Sequence, residues 1–572
     1  MTAVGIDFGT TNCVLAAFTG GKPEVVPIDS PPADWAQLGF DKVLPSVFAL
    51  DGQKPIFGWE AKRASDGLQA VKRLLATEES VGVGDNSVLV DEVVALMFGH
   101  MKQAAASQGL DVDRAVVTIP ANSRGPARYR TKICAGLSGI EILTLINEPT
   151  AAAMAFGLQA SGEQTVLVYD FGGGTLDVTL LEAHDGTFFE QASKGLRKMG
   201  GLDFDKAIGR KILETVPNHE GWSRAEKMAF DLAVERAKIL LSTQEETNVE
   251  LPGGEYQRLT RKMLEGAVRP IFEQTRAPIL QCLADMNMEP SAVDALVLVG
   301  GTSKVPGVRN FVSEILEREP ARGDQIDAMT AVGEGAAIAA AILTGELETS
   351  DYMVSVEHAL GTVVVNPGAT KEFSPIIPRN QKLPARGSRT YKPVVDDQET
   401  LEVVVMEADP TKPLGHEENV VIWTSDVQIP EPRPASEITL EFTYEYDVDG
   451  IVWVTLKDLE RDIAIQPLDR MPITFGVTMD RRALVDLAGH VGETIETGNL
   501  AAADGSTPDQ IEDQEARELV AKARTKVIPF LDDAQAQTVQ ELVEAVESAV
   551  DGQLDAAKSA LQTELRKYSY LF

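Results

Sequence analysis

Two stretches of the chain repeat one pattern: an apolar run, Asp-Phe-Gly, a turn of glycine or hydroxyl residues, and a second apolar run. The first reads AVGIDFGTTNCVLAAF at residues 3–18, and the second reads VLVYDFGGGTLDVTLLEA at residues 166–183. A glycine run between two strand-like segments weakens a sheet, so it indicates a point where the backbone turns sharply or lies very close to a ligand. The pattern predicts two β-hairpins whose tight turns present backbone N–H groups and hydroxyls to phosphate oxygens.

A third glycine turn strengthens this interpretation. LVLVGGTSKVPG, at residues 296–307, again places a Gly-Gly turn after an apolar strand. One glycine-rich turn is weak support because most such turns only reverse the chain, whereas two Asp-containing hairpins and a third turn together indicate phosphate binding. Asp7 and Asp170 take matched positions in the two hairpins. Singly, each would more often be a turn or cap residue, but as a facing pair they are suited to hold, through water, the divalent cation that accompanies ATP.

The composition is that of a large acidic protein with substantial cores. The chain has 572 residues, of which 44% are hydrophobic, and it carries 52 Lys and Arg against 87 Asp and Glu, a formal net charge of −35. At roughly 100 to 200 residues per domain, this length predicts about three or four units. The charge predicts a solvated acidic surface and disfavours nucleic acid as a partner, because phosphates would be repelled.

The cysteines and the N-terminal segment indicate a reducing compartment. Cys13, Cys134 and Cys282 lie far apart and match no metal-ligand or disulfide spacing. The start, MTAVGIDFG, has no basic segment followed by an apolar helix, and no run approaches the roughly 20 apolar residues that span a bilayer. We therefore predict a cytoplasmic protein with neither a membrane nor a nucleic-acid partner.

The hydrophobic pattern changes twice along the chain. Up to residue 347, strand-length apolar runs alternate with helical stretches such as EPTAAAMAFGL and GEGAAIAAAIL, which is typical of an α/β fold. Between 361 and 480, apolar and polar residues alternate, as in SEITLEFTYEYDVDGIVWVTLKD with its Asp449-Gly450 turn, which predicts an antiparallel β domain. Amphipathic patterns in the last part of the chain predict a terminal helical bundle, interrupted by a polar linker at 491–508.

The chain resembles a known family through motifs that cover nearly its whole length. Its first part resembles the nucleotide-binding domain of the seventy-kilodalton heat-shock chaperones of the DnaK type through IDFGTTNC, INEPTAAAMAFG, YDFGGGTLDV, ERAKILLS and LVLVGGTSKVPG, in this order. Its β segment and DGQLDAAKSALQTEL are similar to the family's peptide-binding domain and lid. The resemblance implies a multidomain α/β, β and α protein. Its parts would be an actin-like two-lobed ATPase domain (1–347), an interdomain linker (348–360), an antiparallel β-sandwich peptide-binding domain (361–480) and a C-terminal helical lid (481–572).

The resemblance also implies an ATP site. The catalytic residues that match the family's motifs are Lys72, Glu148, Asp170, Thr175 and Asp7, with Asp7 and Asp170 holding Mg²⁺ through water. Lys72 and the metal would offset charge on the γ-phosphate, and Asp170 or Glu148 would orient the attacking water. The residues that match nucleotide contacts are Thr10, Thr11, Gly172, Gly173, Gly174, Asp177, Gly200, Gly201, Glu235, Lys238, Ser242, Gly300, Gly301, Thr302 and Lys304. The cofactors implied are ATP or ADP and Mg²⁺, with K⁺ as a further candidate.

Peptide binding is the second activity that the resemblance implies. The groove candidates are Val365, Tyr391, Val394, Leu401 and Val403, although an apolar residue of a β domain is more often part of the core. ATP would open the groove and hydrolysis would close it. We therefore predict an ATP-dependent molecular chaperone for protein folding and the stress response. It would hydrolyse ATP slowly while it binds and releases extended apolar segments of unfolded or client proteins.

Several positions depart from the family's pattern at the nucleotide. Ile239 and Lys304 stand where the family has arginines against the adenine, and neither side chain stacks as an arginine plane does. Leu202 and Met329 replace acidic residues near the nucleotide. These changes predict a tuned or slow ATPase.

Two further departures concern partners. Thr144 replaces the arginine through which typical members engage J-domain proteins, and the linker DYMVSVEH has only Tyr352, Met353 and Val354 as its apolar core. Stimulation by a J-domain protein is therefore expected to differ from the usual pattern, and a nucleotide exchange factor is a further candidate partner.

Two other classes share part of this pattern. An actin-like or sugar-kinase-like enzyme would contain the two hairpins but not the β domain and helical tail. A nucleotide-gated peptide-binding module or co-chaperone would keep the architecture with little ATPase activity. The retained Lys72, Glu148 and Asp170 favour catalysis, and ATP turnover that depends on Lys72 would distinguish these classes.

Overall fold

A computed structural model gives the fold of most of the chain. It describes residues 2–64, 66–75, 78, 80–84, 86–120, 123, 125–157, 163–184, 187–196, 199–321, 327–347, 352–353, 359–365, 371–379, 381, 384–414, 419–447, 451–473, 481–500, 516, 519–520, 523, 533–547, 549 and 554–566. The chain divides into two compact units, Met1–Thr474 with Leu487–Asn499 and Phe475–Asp486 with Leu500–Phe572.

The first predicted hairpin lies at the centre of one sheet. The elements up to residue 157 are β1 (Thr2–Phe8), β2 (Asn12–Thr19), β3 (Lys22–Val26), α1 (Ala33–Ala36), β4 (Leu44–Pro45), β5 (Val47–Asp51), β6 (Lys54–Phe57), α2 (Gly58–Lys62), β7 (Leu68–Gln69), α3 (Val71–Leu74), β8 (Ser80–Val83), β9 (Asn86–Leu89), α4 (Val90–Ser107), β10 (Val112–Ile119), α5 (Gly125–Leu137), β11 (Glu141–Asn147) and α6 (Glu148–Gly157). The sheet runs β11-β10-β1-β2-β3, with β1 antiparallel to β2 and parallel to β10. We call this part the first lobe.

The second predicted hairpin organises a matching sheet. The elements from 163 to 353 are β12 (Glu163–Phe171), β13 (Leu176–His184), β14 (Thr187–Leu196), α7 (Gly201–Leu213), α8 (Arg224–Leu240), β15 (Glu246–Glu250), β16 (Tyr256–Thr260), α9 (Arg261–Phe272), α10 (Arg276–Asp285), β17 (Ala295–Val299), α11 (Pro306–Leu316), α12 (Ala331–Leu343) and β18 (Tyr352–Met353). The sheet runs β17-β12-β13-β14-β18, with β12 antiparallel to β13 and parallel to β17. This is the second lobe.

Small residues allow helices to pack closely at the core between these sheets. A Cβ added at Gly335 on α12 would lie 1.7 Å from the carbonyl oxygen of Ala151 on α6, and one at Gly5 on β1 would lie 2.1 Å from the backbone nitrogen of Ala337. Such distances leave no room for a larger side chain. The alanine and glycine runs that predicted α6 and α12 are therefore close-packing surfaces as well as helix formers.

The β domain is a sandwich of two antiparallel sheets. Its strands are β19 (Ala359–Val365), β20 (Lys371–Ile377), β21 (Ala385–Tyr391), β22 (Thr400–Ala408), β23 (Val420–Gln428), β24 (Leu440–Tyr446), β25 (Val452–Asp458), β26 (Ile463–Ala464) and β27 (Met471–Pro472). One sheet runs β20-β19-β22-β23, and the other runs β21-β24-β25-β26 with β27 on β25. The alternating residues from Leu440 to Tyr446 are buried between the sheets, as their period of two predicts. The Asp449-Gly450 turn itself lies outside the described residues.

The last helices are α13 (Arg481–Thr497), α14 (Asp533–Glu547) and α15 (Leu554–Arg566). The predicted polar linker at 491–508 is wrong at its start, because residues 491–497 continue α13, where Val491 is buried. Val539, Val543 and Val546 of α14 share a core with α15, which confirms the predicted apolar face. Among the described residues, no helix combines the length and apolar content required to cross a bilayer.

Candidate functional site

The glycine run of the second hairpin packs against the hydroxyl turn of the first. Gly172, Gly173 and Gly174 connect β12 to β13. A Cβ at Gly173 would lie 1.7 Å from Thr11 Oγ1, and one at Gly174 would lie 2.6 Å from Thr10 Cγ2. Both distances are below any real Cβ contact, so only glycine fits. The run is needed because two turns and their backbones meet there.

Two further glycine turns brace the same run. The backbone nitrogens of Gly201 and Leu202 donate to the carbonyl oxygens of Gly172 (3.1 Å) and Gly173 (2.9 Å). From the third turn, the Thr302 hydroxyl donates to the Gly172 carbonyl at 2.8 Å. Gly300 adopts a φ of +80° and lies so close to Phe171 that a Cβ would stand 2.4 Å from its carbonyl oxygen. The predicted glycines therefore form one connected backbone cradle.

The carboxylates collect at the carboxyl ends of parallel strands. Asp7 lies near the end of β1, Glu148 follows β11 directly, and Asp170 lies near the end of β12. Such strand ends are where ligands bind in open α/β sheets. The Thr118 hydroxyl, from the neighbouring β10, donates to Asp7 Oδ1 at 2.9 Å. The two hairpins thus place Asp7 and Asp170 at corresponding points, as predicted from their repeated motif.

Lys72 lies within this group of carboxylates. Its Nζ contacts Glu148 Oε1 at 2.5 Å, and both side chains are about nine-tenths buried. The ammonium also lies 5.8 Å from the centre of the Phe8 ring. A buried lysine is held in place by such a partner, whereas a surface lysine would keep its freedom. By its burial and its ion pair, Lys72 differs from an ordinary surface lysine.

The site carries more negative charge than its one lysine offsets. Burial and the carboxylate of Glu148 raise the pKa of Asp7 to about 7, against the opposing effect of Lys72. Burial and the carboxylates of Glu148 and Asp7 raise the pKa of Asp170 well above its usual range. A divalent cation would relieve this repulsion. The charge of the site, and not a set of direct ligands, is what favours a cation here. Among the described residues, no three His, Cys, Asp or Glu side chains form a group that could hold a metal ion directly.

Arg73 is a site residue that the sequence reasoning missed. Its Nη2 donates to the carbonyl oxygen of Gly174, and within the described part of the chain its buried Nε has no hydrogen-bond partner. The residue three positions before Arg73, Ala70, adopts a left-handed φ of +56° immediately before α3. The sequence signal that points to Arg73 is its position next to Lys72, which matches the family's motif.

Comparison with known proteins agrees with this arrangement. The family described as Hsp70 protein matches residues 3–570. The chaperone protein DnaK of Thermotoga neapolitana is 36% identical over 482 residues, covering 80% of this chain and 78% of that protein. The corresponding protein of Cenarchaeum symbiosum is 34% identical over 478 residues, covering 80% and 71%. The chain belongs to the Hsp70 family.

Family membership confirms the predicted fold class and activity. This Hsp70 is an ATPase and an ATP-dependent molecular chaperone, with a two-lobed ATPase part, a β-sandwich and C-terminal helices. The same match favours the chaperone over the sugar-kinase and binding-module alternatives. Nucleotide binding follows from the family, and the roles of individual residues remain predictions.

On the predicted adenosine side, the Hsp70 cleft is lined by both lobes. Thr10 and Thr11 share this cleft with Lys62, Leu202 and Glu235. Lys62 and Glu235 form an ion pair of 2.8 Å across it. The predicted contact Glu235 and the replacement Leu202 thus lie beside the phosphate turn that carries Thr10 and Thr11.

The other predicted adenosine contacts are held by neighbours in the second lobe. Lys238 Nζ donates to Asp205 Oδ2 at 2.7 Å and to the Gly201 carbonyl at 3.2 Å. Lys304 is half-exposed and lies 3.4 Å from Asp327 Oδ1. Ser242 follows α8, with its backbone nitrogen donating to the Ile239 carbonyl.

The replacements Ile239 and Met329 have apolar surroundings. Both pack against a cluster in the first lobe that contains the rings of Trp35, Phe40 and Trp59. Met329 also lies next to the third turn, since a Cβ at Gly301 would be 3.5 Å from its sulfur. The two replacements, Ile239 and Met329, therefore both contact the same apolar cluster.

The groove candidates of the β domain divide into exposed and buried residues. Val394 and Val365 are exposed, at 66% and 40%, whereas Tyr391 and Leu401 are partly buried against the sandwich core. Val403 is 1% exposed and belongs to that core, so its assignment to the groove is wrong. Val403 faces the core because successive side chains of β22 alternate between the two faces of its sheet. The sequence alone does not show which of these faces is the inner one.

The linker contributes a strand to the second lobe. Tyr352 and Met353 pair in parallel with Phe188 and Phe189 of β14, while Val354 lies outside the described residues. Thr144, at the predicted J-domain position, is 5% exposed within β11. A side chain so deeply buried is not available to a partner's surface.

An ionic contact joins the β domain to the second lobe. Arg379 lies 3.3 Å from Asp285 of α10 and 3.6 Å from Asp409 of the β domain. Lys194 of β14 also approaches Asp285, at 3.2 Å. Arg379 therefore links a strand-end residue of the β domain to α10 of the second lobe.

Proposed function

We propose that Lys72, Glu148, Asp7, Asp170 and Thr175 carry out ATP hydrolysis in this cleft, with Mg²⁺ as the metal and K⁺ as a further candidate cation. The observation that supports the proposal best is the meeting of Lys72 and three carboxylates beside the glycine cradle. Phosphoryl transfer to water depends on positioning and charge neutralisation, which this set supplies.

Each residue has a defined task in this proposal. Glu148 holds the Lys72 ammonium where it offsets charge on the γ-phosphate. The backbone N–H groups of the glycine turn and the Thr175 hydroxyl hold phosphate oxygens, and Asp170 or Glu148 orients the attacking water. When bound, Mg²⁺ neutralises charge shared between the phosphates, and Asp7 and Asp170 would hold it through water.

Thr11 supports the phosphate assignment independently. Its Oγ1 is buried, and within the described residues it has no hydrogen-bond partner. Because buried hydroxyls are nearly always paired, an unpaired one facing a glycine turn marks a position for a ligand. A phosphate oxygen supplies the missing partner.

Nucleotide turnover is proposed to control the β domain. The domain would bind extended apolar segments of client polypeptides through the exposed Val394 and Val365, and exchange would follow the nucleotide state. The linker strand on β14 and the Arg379 contact support this coupling. We further propose a cytoplasmic location, and contacts with J-domain and exchange-factor partners that avoid the buried Thr144.

Steady-state hydrolysis by the purified chain tests the proposal. ATP turnover is measured alone, with an apolar heptapeptide, and in the Lys72→Ala variant, with Lys22→Ala as an exposed lysine control. Slow turnover that requires Lys72 and rises with peptide is expected. Turnover that ignores peptide would contradict the coupling, and ATP binding without turnover would favour the nucleotide-gated binding module.

A further inference from the structure

A buried arginine outside the nucleotide site contacts the segment that follows Lys72. Arg130 lies on α5, and its side chain is 10% exposed. Its Nη1 donates to the carbonyl oxygens of Leu75, at 2.5 Å, and of Glu78, at 2.9 Å. Leu75 directly follows α3, the helix that carries Lys72 and Arg73. Arg130 therefore holds the carboxyl end of that helix from the side away from the glycine cradle.

Asp91, on α4, fixes the orientation of the Arg130 guanidinium. Arg130 Nε lies 2.9 Å from Asp91 Oδ1, and Arg130 Nη2 lies 2.9 Å from Asp91 Oδ2. The Asp91 side chain is 4% exposed, and the Cys134 thiol also donates to its Oδ1 at 3.4 Å. A guanidinium paired at two points has a defined plane, and a buried ion pair is favourable only when its other polar groups are satisfied as well. The pair with Asp91 thus directs Nη1 at the two carbonyl oxygens.

Helix α3 depends on contacts of this kind because it is too short to be stable alone. It has four residues, whereas an isolated helix is marginal below roughly 12 to 15 residues. It begins after the left-handed Ala70, which has no side-chain oxygen to cap it. The last carbonyl oxygens of any helix also lack partners within the helix. The bonds from Arg130 to Leu75 and Glu78 therefore fix a segment whose own backbone would leave it free to shift.

We propose that Arg130, oriented by Asp91, is a positioning residue for ATP hydrolysis, which holds α3 so that the Lys72 ammonium meets the γ-phosphate. Glu148 contacts Lys72 at its ammonium, and Arg130 holds the backbone three residues later, at Leu75. The lysine is thus fixed both at its tip and through its helix. A displacement of about 1 Å at a reacting centre can cost a hundredfold in rate, so a distant anchor of this helix affects the chemical step. The inference rests on the role that the proposed function gives Lys72.

Replacing both charges together is the most direct test. Arg130→Met combined with Asp91→Leu removes the donor to the two carbonyl oxygens and leaves no unpaired buried charge, so the fold is expected to stay stable. Single-turnover ATP hydrolysis, ADP affinity and thermal melting are measured. Hydrolysis slowed roughly tenfold to a hundredfold is expected, with ADP affinity changed by less than about twofold, because ADP lacks the phosphate that Lys72 serves. Unchanged hydrolysis in the folded double variant would overturn the positioning role.

A conservative variant keeps the test decisive if the double variant does not fold. Arg130→Lys retains the charge beside Asp91 but lacks the planar fork, so hydrolysis should be slowed less, roughly threefold, again at unchanged ADP affinity. Unchanged hydrolysis in Arg130→Lys would then overturn the role.

A matched control and the Lys72→Ala variant separate the possible failures. Lys102→Met removes a similar bond elsewhere in the first lobe, from Lys102 Nζ to the Gly139 carbonyl at 2.7 Å, and should leave hydrolysis unchanged. Hydrolysis by the unmodified chain that does not require Lys72 would overturn the proposed function and the positioning role together. Hydrolysis that requires Lys72 but is indifferent to Arg130 would contradict the positioning role alone.

Discussion

The turn between β1 and β2 carries Thr10 and Thr11, whereas the corresponding turn between β12 and β13 carries a run of glycines. Both turns follow Asp-Phe-Gly on the middle of a sheet, and the two turns face each other. The Thr11 hydroxyl occupies the space that a Cβ at residue 173 would need. The two copies of the hairpin therefore need different residues where they meet. The first copy places threonine side chains there, and the glycines of the second copy leave the space for them free.

Gly173→Val would disrupt the packing of the two turns against each other, and we expect it to have the largest effect on ATP binding and stability. The new side chain would displace Thr11, because a Cβ at residue 173 already lies 1.7 Å from Thr11 Oγ1 and 2.8 Å from Thr11 Cβ. We expect loss of ATP binding and destabilisation of the ATPase part by roughly 1–3 kcal/mol or more, with the β domain still folded. Calorimetric titration with ATP and urea unfolding measure both effects. Unchanged ATP affinity would contradict the role given to the glycine run.

A reciprocal variant sharpens the comparison. Gly173→Ala alone should destabilise the chain, and adding Thr11→Gly should restore part of the lost stability, because the overlapping atoms are removed. A coupling free energy of roughly 0.5–3 kcal/mol is expected between the two changes. Additive effects would mean that the turns do not compete for the same space.

Arg73→Ala tests a side-chain contact to the second turn. Its guanidinium donates to the Gly174 carbonyl, so its loss should lower ATP turnover roughly tenfold to a hundredfold, the rate equivalent of one charged hydrogen bond. Arg73→Lys should restore little, since an ammonium lacks the planar fork. Arg258→Ala, an exposed arginine on β16, is the control and should leave turnover unchanged. Equal turnover in the two alanine variants would remove Arg73 from the site.

Sequence reasoning found the repeated hairpins because their signals are local. Asp-Phe-Gly, a turn and flanking apolar runs lie within about sixteen residues, and the backbone geometry they dictate hardly depends on the rest of the chain. The positions of Asp7 and Asp170 follow from that geometry. The helices α6 and α12 and the alternating strands of the β-sandwich were predictable for the same reason.

The missed features depend on contacts between distant segments. Arg73 meets Gly174 across 101 positions, and Ile239 packs on rings from another lobe. The prediction for Val403 is wrong because apolar alternation does not reveal which of two faces a groove occupies. The polarity of residues 491–497 favours a linker, yet α13 continues through them because one face packs on α4, where a Cβ at Gly99 would lie 2.6 Å from Ile495.

Thr11→Val tests whether the Thr11 hydroxyl serves to bind a ligand or to stabilise the fold. Because Thr11 Oγ1 has no partner among the described residues, its replacement should raise the stability of the nucleotide-free protein by up to about 1 kcal/mol while weakening ATP binding several-fold, on the order of the same energy. Thr179→Val on β13 is the matched control. That hydroxyl is buried and paired with Ser193 at 3.0 Å, so its loss should cost about 1–3 kcal/mol. Destabilisation of nucleotide-free Thr11→Val would show that the hydroxyl already has a structural partner.

A further prediction concerns Asp205, a buried carboxylate of the second lobe. Burial raises the pKa of Asp205 from its ordinary 3.8 to about 6, although Lys238 opposes the shift. Between these values the folded protein binds a proton that the unfolded chain has released, so stability falls as pH rises from about 4 to 6. The slope is at most about 1.4 kcal/mol per pH unit. Urea unfolding without nucleotide or metal, compared between the unmodified chain and Asp205→Asn, isolates this contribution.

The sign of that difference is what makes the last measurement decisive. If the Lys238 ammonium governed Asp205, its pKa would be lowered and the unmodified chain would gain stability relative to Asp205→Asn as pH rises. If burial governs it, the unmodified chain loses stability over the same range. The comparison with Asp205→Asn subtracts the other titrating groups, including Asp7 of the first lobe, so either slope belongs to Asp205 itself.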